Sequence, residues 1–397
     1  MSRVINVVLL ITDAGAGHRS AAQAIEAALL QTHGDSVHVS IVNPLLHLRA
    51  PSMLRFGEQF YLELVKYAPQ YYDWLHLVTD NAPTVSLISE TVSLTLRNVF
   101  REVLAQLVPD VIVSVYPQFS AFAASLYAGQ RTRPGLVSVV TDLGPVHRFW
   151  FEHTDDYCIV PSTAARTKAL SCGMDPQRVL TSGIPVHPRF ARPRAEVAEL
   201  RRSLGWRADL PAMLLLGGGA GVGDLVELAR AVDAAGLPLQ MAIVAGRNAE
   251  LAAELRAQHW ANPTAIYDFV PLADMMHAAD IVATKGGGLT VSEALAAGRP
   301  LLLHGAAPGQ ELGNVQHVVN HGAGLYGATP GEFVANLRRW IVQPAAREAA
   351  AAAARSIGQP HAAHEVAQVV WELGMARPQP EPLTLRRNAS RRASWLN

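Results

Sequence analysis

Cysteine is nearly absent from this chain: Cys158 and Cys172 are the only two in 397 residues. Two thiols build neither a disulfide framework nor a zinc set, so they point to a reducing compartment and a fold held by its own core. Charge is scarce as well, at 17% of residues, and is split evenly between 33 basic and 33 acidic side chains. Such a balance gives no global basic surface, and no nucleic-acid partner is expected. Long hydrophobic runs are missing. The most apolar uncharged stretch, 111–130, is interrupted by Tyr116, Pro117, Gln118 and three serines, which suits a strand and a buried helix better than a membrane span. No glycine loop ends in Gly-Lys-Ser/Thr, which argues against ATPase or kinase chemistry. No Asp-x-Asp pair is present either, because Asp155 and Asp156 adjoin, so metal-independent chemistry is expected. His317 and His321 have a chelating spacing, but Val318 stands where a zinc protease carries its glutamate, and they read as ordinary helix residues.

What the chain does have is apolar alternation. Half of its residues are hydrophobic, and its length predicts two domains. Short apolar strands alternate with amphipathic helices twice over, the signature of an α/β protein with two doubly wound halves. In the first half, 4–11, 37–42, 111–115 and 136–140 read as strands, and Ala21, Ala22, Ile25, Ala28 and Leu29 mark one face of a helix. Arg3, the apolar run 4–11 and the small residues 14–16 imitate a short signal peptide, but a single positive charge and Asp13 favour a strand and its loop. Residues 50–103 form a helical insertion containing Phe56, Phe60, Tyr61, Tyr67, Tyr71, Tyr72 and Trp74. A proline-broken stretch, 185–193, reads as a linker between a domain at 1–188 and a second at 189–376. Strands are expected there at 212–216, 240–244, 265–267, 281–283 and 300–303, with closing helices at 345–356 and 361–373. The tail, 377–397, has three prolines, then Arg386, Arg387, Arg391, Arg392 and Trp395 without periodicity, and reads as flexible and basic.

The most informative segment is 283–324. Lys285 ends an apolar strand, Gly286, Gly287 and Gly288 make a turn, and a helical run begins at Leu289. A glycine turn feeding a helix N-terminus gathers free N–H groups and the helix dipole, a ready anion site. Thr290, Glu293 and the polar turn 308–311 complete a module able to hold phosphate, ribose and sugar. Five glycines in 217–223, among them Gly217, Gly218, Gly219 and Gly221, follow the first strand of the second half and can bring N–H groups to a diphosphate. The loop 13–19 after the first strand is no dinucleotide fingerprint, since Ser20 takes the third glycine's place. Its Gly15 and Gly17 still permit close backbone approach, and His18 is either a base for an attacking hydroxyl or a helix-capping histidine. Asp142, after the strand 136–140, either supports His18, receives the proton itself, or caps a turn. Phe149, Trp150 and Phe151, beside His147 and Arg148, either join the insertion's aromatics in an apolar face for a lipid surface or pack in the core.

Together these pieces resemble the monogalactosyldiacylglycerol synthase and processive diacylglycerol glucosyltransferase family. The matching blocks run from Asp13 to about Gly324: the Asp-x-Gly-x-Gly-His-Arg loop at 13–19, Val140-Thr-Asp-Leu143 with His147 and Trp150-Phe151 downstream, and the segments 157–162 and 182–186. The glycine loop at 217–223, Gly246-Arg247-Asn248, Thr284-Lys285, and 308–311 with Gly313-Asn314 also match. The resemblance implies a GT-B fold, two Rossmann-like doubly wound domains facing a cleft, with the acceptor held by the first and UDP-sugar by the second. It implies inverting transfer of galactose or glucose to the hydroxyl of diacylglycerol. Gly313-Asn-Val315 leans toward the galactosyl branch and Gly288-Leu-Thr290 toward the glucosyl one. By the same resemblance His18 is the base, Glu293 binds the ribose, and Gln310 and Glu311 read the sugar. Phe269 and Val270 hold uracil, and Gly287, Gly288 and Thr290 cradle the diphosphate, with Arg247, Lys285 and Asn314 beside them on the donor side. No cofactor is implied beyond the co-substrate UDP-sugar. The expected location is cytoplasmic, peripheral on the inner face of the cell membrane and in contact with anionic lipids. Transfer to another acceptor, a GT-B-fold UDP-sugar 2-epimerase and a UDP-sugar sensor are the alternatives.

Overall fold

In the computed structural model, the described residues are 3–13, 16–48, 50, 79–80, 82–217, 225–306 and 311–383. They form two compact units. The first comprises the described residues within Met1–Thr141, Pro145–Pro185 and Ala363–Asn397; the second comprises Asp142–Gly144 and those within Val186–Ala362. Two segments thus depart from chain order. Residues 142–144 belong with the second unit, and the last helix packs with the first, although a linear division at 188 places it in the second.

The first unit is a parallel sheet of β1 (Ile5–Leu10), β2 (Val37–Val42), β3 (Val111–Ser114), β4 (Gly135–Val139), β5 (Tyr157–Val160) and β6 (Val179–Thr181), in the order β2-β1-β3-β4-β5-β6. Its central strands β3 and β4 are buried at every position, as expected of a parallel sheet covered on both faces. The covering helices are α1 (Ala16–His33), α2 (Ala82–Leu107), α3 (Phe119–Leu126), α4 (Thr163–Ser171) and the C-terminal α13 (Ala362–Ala376). Ser162 caps α4 by accepting from the Ala165 N–H. Gly374 lets α13 lie close to the sheet: a Cβ there would stand 2.8 Å from the Ile5 side chain. Trp371 of α13 stacks on His33 with ring centroids 3.8 Å apart.

The chain beyond α13 is fastened by ions. Arg377 and Arg133 both pair with Asp156, and Arg3 reaches Asp110 at 2.5 Å and the Arg377 carbonyl at 2.6 Å. Asp155 is structural too, buried completely with Ser138 donating to it at 2.5 Å; burial pushes its carboxyl up to about 8.

The second unit has β7 (Ala212–Leu216), β8 (Gln240–Val244), β9 (Thr264–Tyr267), β10 (Ile281–Thr284), β11 (Leu301–Leu303) and β12 (Gly324–Tyr326), all parallel, in the order β12-β11-β10-β7-β8-β9. Counted from its own first strand, this is the doubly wound dinucleotide-binding order. Its helices are α5 (Val197–Ser203), α6 (Leu225–Ala234), α7 (Ala249–Ala257), α8 (Ala273–Ala278), α9 (Gly288–Ala296), α10 (Glu311–Asn320), α11 (Pro330–Val342) and α12 (Pro344–Ile357). A Thr329/Glu332 capping box with Pro330 starts α11, whose Phe333, Leu337 and Trp340 fill the core against Met213, Leu215 and Ile243. The alanine-rich run is the helix α12, burying Ala350, Ala351 and Ala354.

Strands β5, β6 and β12, three or four residues long, are not among those expected from the sequence. The order of each sheet reverses once, between β1 and β3 in the first and between β7 and β10 in the second. Open α/β sheets bind ligands at the carboxyl ends of the strands flanking such a reversal. His18 follows β1, Tyr116 follows β3, Gly217 follows β7 and Lys285 follows β10.

Candidate active site

In the first unit, α1 begins at Ala16, so Gly17 and His18 lie in its first turn. Asp13, just before, is held by a two-point pairing with Arg19 at 2.7 and 2.9 Å and accepts from the Asn43 amide at 2.9 Å. The His18 ring lies deep at the strand ends with part of its surface open. Its Nδ1 is 3.3 Å from Thr141 Oγ1, Tyr116 meets it edge-on at 5.4 Å between centroids, and Trp150 lies at 6.3 Å. Burial lowers its pKa to about 4, against the opposing pull of the Val115 carbonyl, which accepts from the ring, and of the Asp13 charge. The imidazole is therefore neutral at physiological pH. With one nitrogen donating to a carbonyl, the other keeps a lone pair, the form a general base requires.

The loop that follows Thr141 in sequence also folds against β4 and β5. His147 Nδ1 accepts from the Phe149 N–H at 3.1 Å and its Nε2 is 3.2 Å from Thr79 Oγ1. Trp150 and Phe151 are buried with Val140, Val146 and Val160. Of the two readings of the aromatic triplet, burial holds for these two residues, which corrects the picture of an exposed aromatic face; Phe149 alone is partly exposed. The physical reason is local: Val146 and the β5 side chains leave an apolar hollow that two large rings fill.

In the second unit, the turn after β10 leads from Lys285 through Gly286 and Gly287 into α9, with Gly287 as its N-cap residue. Lys285 Nζ pairs with Glu311 Oε1 at 2.6 Å, joining this turn to the N-terminus of α10. Gly286 cannot carry a side chain, since a Cβ would meet the Glu311 carbonyl oxygen at 2.9 Å. Glu293 on α9 is buried, and among the described residues no hydrogen-bond donor reaches its carboxyl. Burial raises it to about 8, so it is largely protonated at neutral pH. Thr290 is partly exposed on the same helix. Arg247 lies over the ring of Phe269 at 4.6 Å; that ring is 63% exposed, and Val270 follows it.

Asn314 of α10 is fully buried and uses its whole amide. Its carbonyl accepts from the Leu143 N–H at 2.6 Å, and its NH2 donates to Gly286 O at 2.9 Å and to Asp142 Oδ1 at 3.2 Å. Asp142 is thereby tied to α10 and to the turn after β10. Burial raises it to about 6, the Asn314 bond pulls it down, Glu311 pushes it up and Lys285 lowers it. The hydrogen-bonding neighbour of His18 at the end of β4 is the adjacent Thr141, which sequence reasoning missed, since nothing in one dimension tells which residue of a strand end reaches the imidazole.

Gly217 is buried at the end of β7. Gly15, Gly218, Gly219, Gly221 and Gln310, the aromatics of 56–74 and the arginines of the tail fall outside the described residues. Among the described residues no cluster of three metal-ligating side chains occurs, and no helix is long and apolar enough to cross a membrane.

Residues 18–186 match the profile of monogalactosyldiacylglycerol (MGDG) synthases and residues 212–365 that of the glycosyltransferase family 28 C-terminal domain. The chain is 32% identical over 349 residues to monogalactosyldiacylglycerol synthase 3, chloroplastic, of Arabidopsis thaliana, covering 85% of this chain and 75% of that protein. This chain belongs to the monogalactosyldiacylglycerol synthase family. Its likeness to the Spinacia oleracea synthase, also chloroplastic, is 34% over 348 residues, 84% of this chain and 66% of that one, so the family member described here spans just under two thirds of the spinach protein. Among solved structures, MurG of Acinetobacter baumannii superposes with a TM-score of 0.58 at 16% identity over 92% of this chain and 99% of that one. A UDP-N-acetylglucosamine 2-epimerase from Listeria monocytogenes, described as putative, reaches 0.60 at 15% identity over 97% and 100%. These likenesses establish the GT-B fold, and the fold alone does not separate a transferase from an epimerase.

Proposed function

We propose that this family member transfers a hexose from a UDP-sugar to the hydroxyl of diacylglycerol, with inversion, making a membrane glycolipid. The observation that carries this reading is His18, a neutral imidazole at the sheet reversal of the first domain: a sensor has no use for such a base, and the match to the lipid-synthase profile argues against an epimerase. The acceptor hydroxyl loses its proton to His18 as its oxygen attacks the anomeric carbon, and the bond to UDP breaks. The growing charge on the diphosphate falls to the N–H groups of the glycine turn and the start of α9, with Lys285 as the nearby cation. No metal is needed in this scheme, so saturating chelator leaves turnover intact. Glu293 takes the ribose, Gln310 and Glu311 the sugar hydroxyls, and Phe269 with Val270 the uracil.

Galactose is the hexose we assign, on the strength of the relatives named as monogalactosyldiacylglycerol synthases. Diacylglycerol presents one hydroxyl and no charge, so affinity comes from apolar burial at a lipid surface, and we place the enzyme peripherally on the cytoplasmic face of the cell membrane, near anionic lipids. The test is a donor screen. UDP-galactose, UDP-glucose and UDP-N-acetylglucosamine are each offered with diacylglycerol in anionic liposomes, and the lipids are analysed by mass. Hexosyl-diacylglycerol from UDP-galactose supports the reading. UDP release or sugar isomerisation without glycolipid supports a soluble acceptor or the epimerase.

A further inference from the structure

One carboxylate outside the catalytic constellation is tied to it through the backbone. Asp80 Oδ1 accepts from the Arg148 N–H at 2.8 Å, and its Oδ2 pairs with Lys168 Nζ of α4 at 2.6 Å. Both partners hold its carboxyl below the usual carboxylate range despite an opposing contribution from burial, as does the nearby His147. The preceding Thr79 meets His147, whose other ring nitrogen accepts from Phe149. The amides of Arg148 and Phe149 are thus both engaged by side chains, while those of Trp150 and Phe151 close back onto the carbonyls of His147 and Arg148 at 3.2 and 3.0 Å.

These bonds define a single turn of 3-10 helix, Arg148–Trp150. A turn of three residues does not hold its own shape, because nucleation fixes several dihedrals for one hydrogen bond. Its anchors therefore act together with the packing of Trp150 among Val140, Val146 and Val160 to set where that ring lies, and Trp150 is the ring tilted against His18 at 6.3 Å.

We propose that Asp80 is a positioning residue for the acceptor: by pinning the Arg148 amide and borrowing Lys168 as a counter-ion, it fixes the turn that holds Trp150 beside His18. It touches neither substrate nor His18. This rests on the reading of His18 as the base on the acceptor side. Asp80 stands 68 residues before Arg148 in sequence, which is why no local motif reveals it.

The experiment uses the full chain with Asp80→Ala, Lys168→Ala and Lys168→Arg. Asp80→Ala raises KM for diacylglycerol and lowers kcat so that kcat/KM for the lipid falls about tenfold or more, the loss expected for one charge-assisted anchor. The KM for the UDP-sugar stays unchanged. Lys168→Ala moves the same parameters less, and Lys168→Arg, which keeps the ion pair, restores them. Amide hydrogen exchange is read in parallel: residues 148–151 lose protection in Asp80→Ala while β1 and β3 keep theirs. The proposal is overturned if donor and acceptor parameters change together, if Lys168→Arg fails to restore what Lys168→Ala loses, or if exchange at 148–151 is unaltered. Should the wild-type protein make no glycolipid, the functional reading falls, and the exchange comparison still decides whether Asp80 fixes the turn.

Discussion

At His18, burial and hydrogen bonding act in opposite directions and burial wins, holding the imidazole neutral down to about pH 4. His18→Ala is expected to lower kcat by about 10²–10⁴-fold, the usual worth of a positioned base, while UDP affinity measured by calorimetry stays at the wild-type value. The wild-type pH–rate profile should show no acid limb near 6.5, the ordinary histidine value, from this group. Glu293 makes the opposite case. Ligand-free, it is raised to about 8 by burial alone. Accepting both ribose hydroxyls requires the ionised form, so nucleotide binding expels a proton below that pH. The apparent affinity for UDP should therefore rise about tenfold between pH 7 and pH 9. Glu293→Gln should flatten that dependence, and a wild-type titration that is already flat would remove the ribose role.

Elements are placed here by close backbone approach as much as by apolar faces. The segment 142–144 presses on the start of α10: a Cβ on Gly144 would stand 2.5 Å from the Gly313 Cα and 2.9 Å from its carbonyl carbon. Backbone cannot yield as a side-chain tip does, so Gly144→Ala must shift α10, and with it Glu311 from Lys285 and Asn314 from Gly286. Overpacking of this kind costs about 1–3 kcal/mol; a lowered melting temperature with a raised KM for the UDP-sugar is the expected outcome. At this scale the sequence was partly legible. The glycine turn and helix after Lys285 could be read in order, because a strand, three glycines and a helical run are local patterns. The Asn314 contacts to Leu143 and Asp142 span 171 and 172 residues and could not be read that way. Trp150 and Phe151 misled for a related reason: an aromatic run in a loop looks alike whether it faces lipid or fills a hollow.

For the molecule as a whole, the C-terminal crossing carries the largest consequence. Helix α13 buries Ala363, Val366, Ala367 and Val370 almost completely in the first unit, and Arg377 continues into its ion network. The two valines alone represent about 3–6 kcal/mol of apolar burial, a large share of a domain's net stability. A chain ending at Ile357 should therefore melt far below the full chain by circular dichroism; an unchanged midpoint would show that the sheet of the first unit stands without the helix.

The sequence by itself determined the class and order of most elements, the two doubly wound sheets, and the family, because strand and helix periods, glycine turns and ordered motifs are written over short stretches. It also placed His18 just after the first strand, Lys285 at the end of β10 and Glu293 on the helix that follows. Only the tertiary structure decided that Thr141 is the hydrogen-bonding neighbour of His18, that Asp142 answers to Asn314, that Asp80 anchors the Trp150 turn, and that α13 belongs with the first unit. Each depends on side chains separated by many residues meeting at a few ångströms, and on burial that changes which protonation state is stable. No local pattern carries that information.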